Sequence, residues 1–287
     1  MTFPPNAYLI GAQKAGTTTL AYLLDQHPNI SVSKPKETHF FSNNFYKGID
    51  WYKSKFINLN NVCIDASTSY SMAALSEGSN LKQSRKQVID VPKRIHSVIS
   101  DAKFIYILRN PIERTYAGYW HNVRYGREKR NFVEAIKYNP MYLDISNYYG
   151  QLKIWLRYFP IESFKFILFD SLKSNPENVV RECFKHLELD ELVDIDVGDV
   201  KNKSYNVSWI GRKINRLMDY QISSVALKFI YDRCSPGVHK KIKTFVSGHK
   251  SIPSIEKEEI DIMSEYFWSK NQQLSKLIRM PLDIWNY

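Results

Sequence analysis

Tyr8–Leu24, YLIGAQKAGTTTLAYLL, is the stretch whose reading decides the fold. Tyr8 to Ile10 begin an apolar run, Gly11 to Gly16 form a loop, and Leu20, Leu23 and Leu24 recur at helical spacing behind Thr17. The segment therefore predicts strand, loop and helix in that order. A loop so placed aims backbone N–H groups at whatever lies above the helix N-terminus, where the dipole favours an anion. Gly11 and Gly16 let the backbone bend closely round that anion, Thr17, Thr18 and Thr19 add hydroxyl donors, and Lys14 adds a full positive charge. A glycine-bearing turn capped by threonine is the plainer reading of the same residues, and the rest of the chain must choose between them.

The loop departs from the nucleoside-triphosphate pattern GxxxxGK[ST], because Thr17 stands where lysine should follow the second glycine. The strongest strand downstream, KFIYIL, ends in Arg109 rather than in a carboxylate suited to magnesium. The expectation is an anion held by protein cations, with no metal.

Forty Lys and Arg against 29 Asp and Glu give a net charge of +11, which suits a polyanionic partner. The basic residues are scattered, with short clusters such as Lys240, Lys241 and Lys243, and so read mainly as a solvated surface. A chain that is 44% hydrophobic and 24% charged is not of disordered type. Cys63, Cys183 and Cys234 match no metal-ligand or CxxC spacing and read as reduced thiols. No run approaches the ~18 apolar residues of a membrane span, and the N-terminus lacks a basic segment followed by a long apolar one. The expectation is a cytoplasmic protein without a membrane span.

Outward from the opening stretch, PNISVSKPKETHFFS holds a short β-branched segment, Asn29 to Ser33, and then a loop with Pro35. Glu37 and His39 are two apart, so in extended chain they face one side, flanked by Lys34 and Lys36, as a general base and its helper would. Two ordinary surface groups would read the same way. FYKGIDWYKSKF predicts a short packed helix, Val62 to Asp65 a strand, and Met72 to Gln87 the most flexible loop.

Further strands are predicted over Phe104–Leu108 and SFKFILFD, and helices over Val91–Ile99, Glu113–Asn122, Phe132–Tyr138, Ser146–Tyr158 and Pro176–Leu187. Strand and helix alternate, which predicts an α/β fold: a three-layer, P-loop-like arrangement with a central parallel sheet flanked by helices. In such sheets ligands bind beyond the carboxyl ends of the strands, so Arg109 and the Lys14 loop share a crevice where Arg109 holds a second anionic group. A helix cap or surface ion pair would also explain Arg109. From Gly198 the chain turns basic and loop-like, then mainly helical, with an amphipathic helix over Ile255–Ile278. We expect one domain, 1–287, with an α/β core over 1–197 and a helical part over 198–287 packed on it.

Together, GAQKAGTTTL, FIYILRNPIERTYAGYW and KPKETHFF resemble the sulfotransferases that use 3′-phosphoadenosine 5′-phosphosulfate, and GIDWYKS, WLRYFP and PLDIWNY resemble the bacterial and Golgi-type, heparan-sulfate-like branch. The resemblance implies an enzyme that moves a sulfuryl group from that donor to a hydroxyl, less readily an amine, of a carbohydrate or small secondary metabolite. It implies that the Lys14–Thr18 backbone (Lys14, Ala15, Gly16, Thr17, Thr18) with the Thr17, Thr18 and Thr19 hydroxyls holds the 5′-phosphosulfate. Lys14 would also stabilise the leaving oxygen, Arg109 bind the 3′-phosphate, Glu37 act as base and His39 arrange the acceptor. A late loop closes over the nucleotide in this family, and Arg212 in YNVSWIGRK or Lys250 in VSGHKSIP is the expected contributor. The resemblance departs at Ala117, where a serine would contact the 3′-phosphate and Tyr119 is a substitute donor. It departs again at IDASTSY, which lacks the lysine of glycosaminoglycan enzymes.

The acceptor pocket is expected among aromatic residues, Phe41 and Tyr148 with His39, although core packing accounts for the same rings. A P-loop kinase, which would need a magnesium site, and a non-catalytic basic polyanion binder are the competing readings. No nucleic-acid signature is present, and no nucleic-acid partner is expected.

Overall fold

The computed structural model describes residues 5–59, 62–76, 87–198, 206–207, 247–248 and 252–285. At its centre is a five-stranded sheet in the order β2-β3-β1-β4-β5. Its strands are β1 (Ala7–Gly11), β2 (Ile30–Val32), β3 (Val62–Asp65), β4 (Lys103–Leu108) and β5 (Phe164–Leu168). Every neighbouring pair is parallel. β1 and β3 are buried along their whole length and β4 at all but its first residue, as expected where helices cover the faces of a parallel sheet.

β2 and β3 lie on one side of β1, while β4 and β5 lie on the other. The chain thus changes direction across the sheet at β1, and the crevice beyond the carboxyl ends of β1 and β4 is the position where such folds bind ligands. The Gly11–Gly16 loop and Arg109 both emerge there.

The α-helices among the described residues are α1 (Thr17–Leu24), α2 (Gly48–Lys53), α3 (Val91–Val98), α4 (Pro111–Arg124), α5 (Phe132–Tyr138), α6 (Met141–Asp144), α7 (Tyr148–Trp155), α8 (Phe169–Ser174), α9 (Pro176–His186) and α10 (Lys257–Ile278). α4 begins where Asn110 accepts from the N–H groups of Ile112 and Glu113, with Pro111 at the first helical position. That cap fixes the direction in which Arg109 leaves β4. α10 opens with a reciprocal Glu256–Glu259 capping box. Its Met263 and Phe267 join Ile112, Tyr116, Tyr119 and Phe132 in a second apolar cluster, while Leu274 joins the main core. A separate two-stranded sheet pairs Asn206–Val207 with Ser247–Gly248, antiparallel.

The short helix expected in FYKGIDWYKSKF is α2, preceded by a π turn and a 3₁₀ turn over Phe40–Asn44 and Phe45–Lys47. Two local expectations need correction. The helix expected from Ser146 starts at Tyr148, because the Asn147 side chain accepts from Gly150 N–H and sets the N-terminus. Met72–Ser76, expected to be flexible, is pinned: Gln151 bonds both polar groups of the Ala73 backbone, and buried Asp144 accepts from Leu75 N–H, Ser76 N–H and the Ser76 hydroxyl. The remainder of that loop, 77–86, lies outside the described residues. So do Arg212, Lys250, Cys234, Lys240, Lys241 and Lys243. Among the described residues, no helix is long and apolar enough to cross a membrane.

Candidate functional site

The loop between β1 and α1 is held from below. Ala12 N–H donates to Ile107 O at 2.8 Å, tying it to β4, and Ala15 N–H donates to Ala12 O at 3.1 Å. A side chain at Gly11 would collide with the Ser71 hydroxyl, which donates to Ile10 O at 2.7 Å. Gly16 has φ of +82°, and a Cβ there would stand 3.0–3.1 Å from Leu172 and Phe169, so both its conformation and its neighbours demand glycine. Lys14 also takes a left-handed backbone, with φ of +71°.

No side chain caps α1 and no acidic residue lies in its first turn. Its first N–H groups are left to an anion. Ala15 and Thr17 are buried, Thr19 is half-buried and Thr18 is exposed.

Arg109 crosses to this loop. Its Nη1 donates to Lys14 O at 3.0 Å, its Nε and Nη2 pair with Glu113 Oε2 at 3.1 and 3.0 Å, and its guanidinium lies 5.0 Å from the Phe169 ring centre. Among the described residues the Lys14 ammonium has no hydrogen-bond or ion-pair partner. Burial, followed by the charges of Arg124 and Arg109, brings it down to about 8. Burial and the charges of Lys14, Arg127 and Arg124 bring His121 down to about 3, so its imidazole is neutral. A lysine and a histidine both disfavoured as cations mark a crevice of positive potential awaiting negative charge.

The second half of the site stands on the adjoining edge. Glu37 Oε2 accepts from Thr68 N–H at 3.3 Å and from the Thr68 hydroxyl at 2.9 Å. Glu37 Oε1 lies 3.2 Å from Lys36 Nζ, whose ammonium also donates to Thr17 Oγ1 at 3.3 Å. His39 Nε2 is 3.7 Å from Glu37 Oε2, and its Nδ1 shares a hydrogen bond with the Ser69 hydroxyl at 2.8 Å. Thus Glu37 and His39 face each other, and Lys36 connects them to the β1–α1 loop.

Buried Asp65 at the end of β3 carries this arrangement. Its Oδ2 accepts from Thr38 Oγ1 (2.6 Å), Tyr52 OH (2.8 Å) and Tyr70 OH (2.6 Å), and its Oδ1 accepts from Ser67 Oγ (2.6 Å). Ser67 Oγ accepts in turn from His39 N–H at 2.9 Å. The carboxylate therefore fixes the middle of the Glu37–His39 segment through Thr38, and the His39 backbone through Ser67.

Lys14, Ala15, Gly16, Thr17, Thr18, Thr19 and Arg109 gather at one end of the sheet, with Glu37 and His39 beside them. Phe41 and Tyr148 do not line an open pocket. Phe41 is fully buried among Tyr8, Phe40, Tyr52 and Tyr70, and Tyr148 is buried with its hydroxyl donating to Arg109 O at 2.8 Å. Both are core residues, and Tyr148 acts on the site by holding the Arg109 backbone. Tyr119 is not a substitute for the missing serine either, since its hydroxyl donates to Arg130 O at 2.9 Å inside the second cluster. His121 and Arg124 follow Ala117 at four and seven residues on α4, so helical spacing puts them on its face. That spacing was the available signal for them. Thr68 and Asp65 gave none, because their roles depend on which strands are neighbours; Lys36 was visible only as a flank of Glu37, and its reach to Thr17 depends on how α1 packs beside that loop.

Among the described residues no group of three or more His, Cys, Asp or Glu is arranged to hold a metal ion. The fold resembles the crystal structure of a sulfotransferase from Alicyclobacillus acidocaldarius, with a TM-score of 0.69 and 22% identity over 99% of each chain. Heparan sulfate glucosamine 3-O-sulfotransferase 5 of Mus musculus is 31% identical over 202 residues, which is 64% of this chain and 54% of that protein. The bifunctional heparan sulfate N-deacetylase/N-sulfotransferase 1 of Caenorhabditis elegans is 28% identical over 205 residues, 65% of this chain and 22% of that much longer protein. The sulfotransferase domain model matches residues 4–206, which include the β1–α1 loop, Glu37 and Arg109, and the chain belongs to the sulfotransferase family.

Proposed function

We propose that this chain transfers a sulfuryl group from 3′-phosphoadenosine 5′-phosphosulfate to a hydroxyl of a carbohydrate or small secondary metabolite. The observation that carries the reading is the reach of one side chain: Lys36 touches both the anion-ready loop at Thr17 and the Glu37 carboxylate. A base so close to an anion cradle suits group transfer better than simple anion binding. The carbohydrate class is supported by the relatives, which are sulfotransferases of heparan sulfate.

In this reading the N-terminus of α1 and the threonine hydroxyls hold the 5′-phosphosulfate, and Arg109 holds the 3′-phosphate. Lys14, unpartnered and half-desolvated, supplies its charge where negative charge grows on the leaving oxygen. Glu37, steadied by Thr68, takes the acceptor proton, and His39, steadied by Ser69, orients the acceptor. Catalysis then rests on position and preorganised charge, as in phosphoryl transfer.

Glu37→Gln tests the assignment. It should bind 3′-phosphoadenosine 5′-phosphate as the wild type does and lose transfer by about 10² to 10⁴-fold, measured by mass spectrometry on a panel of desulfated heparan, simple sugars and phenols. Transfer within threefold of wild type would remove Glu37 from the base role.

A further inference from the structure

Lys36 belongs to neither of the two groups of residues that the loop and the base define, yet it touches both. Its main chain is fixed independently of its charge: Lys36 O accepts from Ala66 N–H at 3.2 Å and from the Ser33 hydroxyl at 2.9 Å. Its side chain is mostly covered, at 23% exposure, and reaches across 19 residues of sequence to Thr17. An ion pair this near the surface contributes little to stability, so holding a long side chain in that position is poorly explained as a fold device. Two of its three ammonium hydrogens have partners, Thr17 Oγ1 and Glu37 Oε1, which leaves a donor for a third group. Because Thr17 Oγ1 accepts from Lys36, the Thr17 hydroxyl hydrogen is left for another acceptor.

We propose that Lys36 reads the sulfuryl group itself and thereby distinguishes the loaded donor from the spent nucleotide. This rests on the donor assignment made above. In the free protein its ammonium occupies Glu37 Oε1; with the sulfated donor in place it turns from Glu37 to the sulfuryl oxygens, and Oε1 is released to accept a proton. The acceptor oxygen then bonds to sulfur as the sulfur–oxygen bond to the 5′-phosphate breaks. The electron pair leaves with the phosphate oxygen, the acceptor proton passes to Glu37, and Lys36 stays protonated throughout. When the nucleotide without its sulfuryl group remains, Lys36 returns to Glu37. The base is thus exposed only when there is something to transfer.

The test needs no acceptor. Calorimetry compares the sulfated donor with 3′-phosphoadenosine 5′-phosphate on wild type, Lys36→Met and Lys36→Arg, with thermal melting as the check that each variant is folded. Lys36→Met should weaken the sulfated donor about tenfold or more and leave the desulfated nucleotide within twofold, and Lys36→Arg should restore most of the difference. Equal loss for both nucleotides would make Lys36 a support for the Thr17 loop, and no loss for either would make it a surface ion pair; each overturns the proposal while leaving the donor assignment standing. Failure of the wild type to bind either nucleotide would overturn the donor assignment and this proposal with it.

Discussion

Arg109 Nη1 donates to the carbonyl oxygen of Lys14 at 3.0 Å, joining the carboxyl end of β4 to the loop that opens α1. The same guanidinium pairs with Glu113 through Nε and Nη2, so one planar group serves two partners in fixed directions. An ammonium cannot reproduce that fork. Arg109→Lys should therefore behave much as Arg109→Ala does, each lowering affinity for 3′-phosphoadenosine 5′-phosphate by about tenfold or more in calorimetry. Wild-type affinity in Arg109→Lys would show that only charge matters there.

Lys14 gives a pH dependence whose sign can be worked out. Its ammonium in the free protein is lowered by burial, Arg124 and Arg109 to about 8 from 10.5, so the proton is held below that value and lost above it. A bound anion favours the charged form. Nucleotide binding should then take up a proton above about pH 8, and affinity should fall by up to about tenfold per pH unit in that range. Calorimetry near pH 9, in two buffers of different ionisation enthalpy, measures the uptake directly; Lys14→Met should abolish it. Folding stability of the free protein runs the other way. The unfolded chain keeps this proton up to about 10.5, so the lysine's contribution becomes more favourable as pH rises from about 8 toward that value.

Asp65 is fully buried and is surrounded by four hydroxyl donors. Asp65→Asn keeps the shape but turns an amide nitrogen against some of those hydroxyls, and each group left unsatisfied costs about 1–3 kcal/mol. We expect the melting temperature to drop by about 5–10 °C. Because Asp65 holds Thr38, the neighbour of Glu37, transfer should fall further than nucleotide affinity. An unchanged melting temperature would contradict the role of Asp65 as the anchor of this edge.

The contiguous parts of the site were legible in the sequence. GAQKAGTTT carries its geometry in its own order, and the apolar run KFIYIL followed by Arg109 and Pro111 marks a central strand with a cation at its carboxyl end. The Asp65–Thr38 and Thr68–Glu37 contacts were not legible, since they form only when β2 and β3 lie side by side and bring residues about thirty apart into hydrogen-bond range, and the Lys36–Thr17 contact needs α1 packed against the same loop. Phe41 and Tyr148 failed for a different reason. An aromatic ring has the same letter in a core as in a pocket, and packing such as the fully buried contact of Phe41 with Tyr52 decides between them. The likeness between Glu37 and His39 at a spacing of two was informative because the side chains do meet, at 3.7 Å.

The central claim is that the β1–α1 loop and Arg109 hold a 3′-phosphorylated adenine nucleotide, and thermal melting measures this most directly. Metal-free 3′-phosphoadenosine 5′-phosphate at about a hundred times its dissociation constant should raise the melting temperature by about 5 °C or more in the wild type. At the same nucleotide concentration, Arg109→Ala should cut that shift to about half or less. No shift with this nucleotide, or a larger one with ADP and magnesium, would contradict the account and favour a phosphoryl-transferring nucleotide site instead.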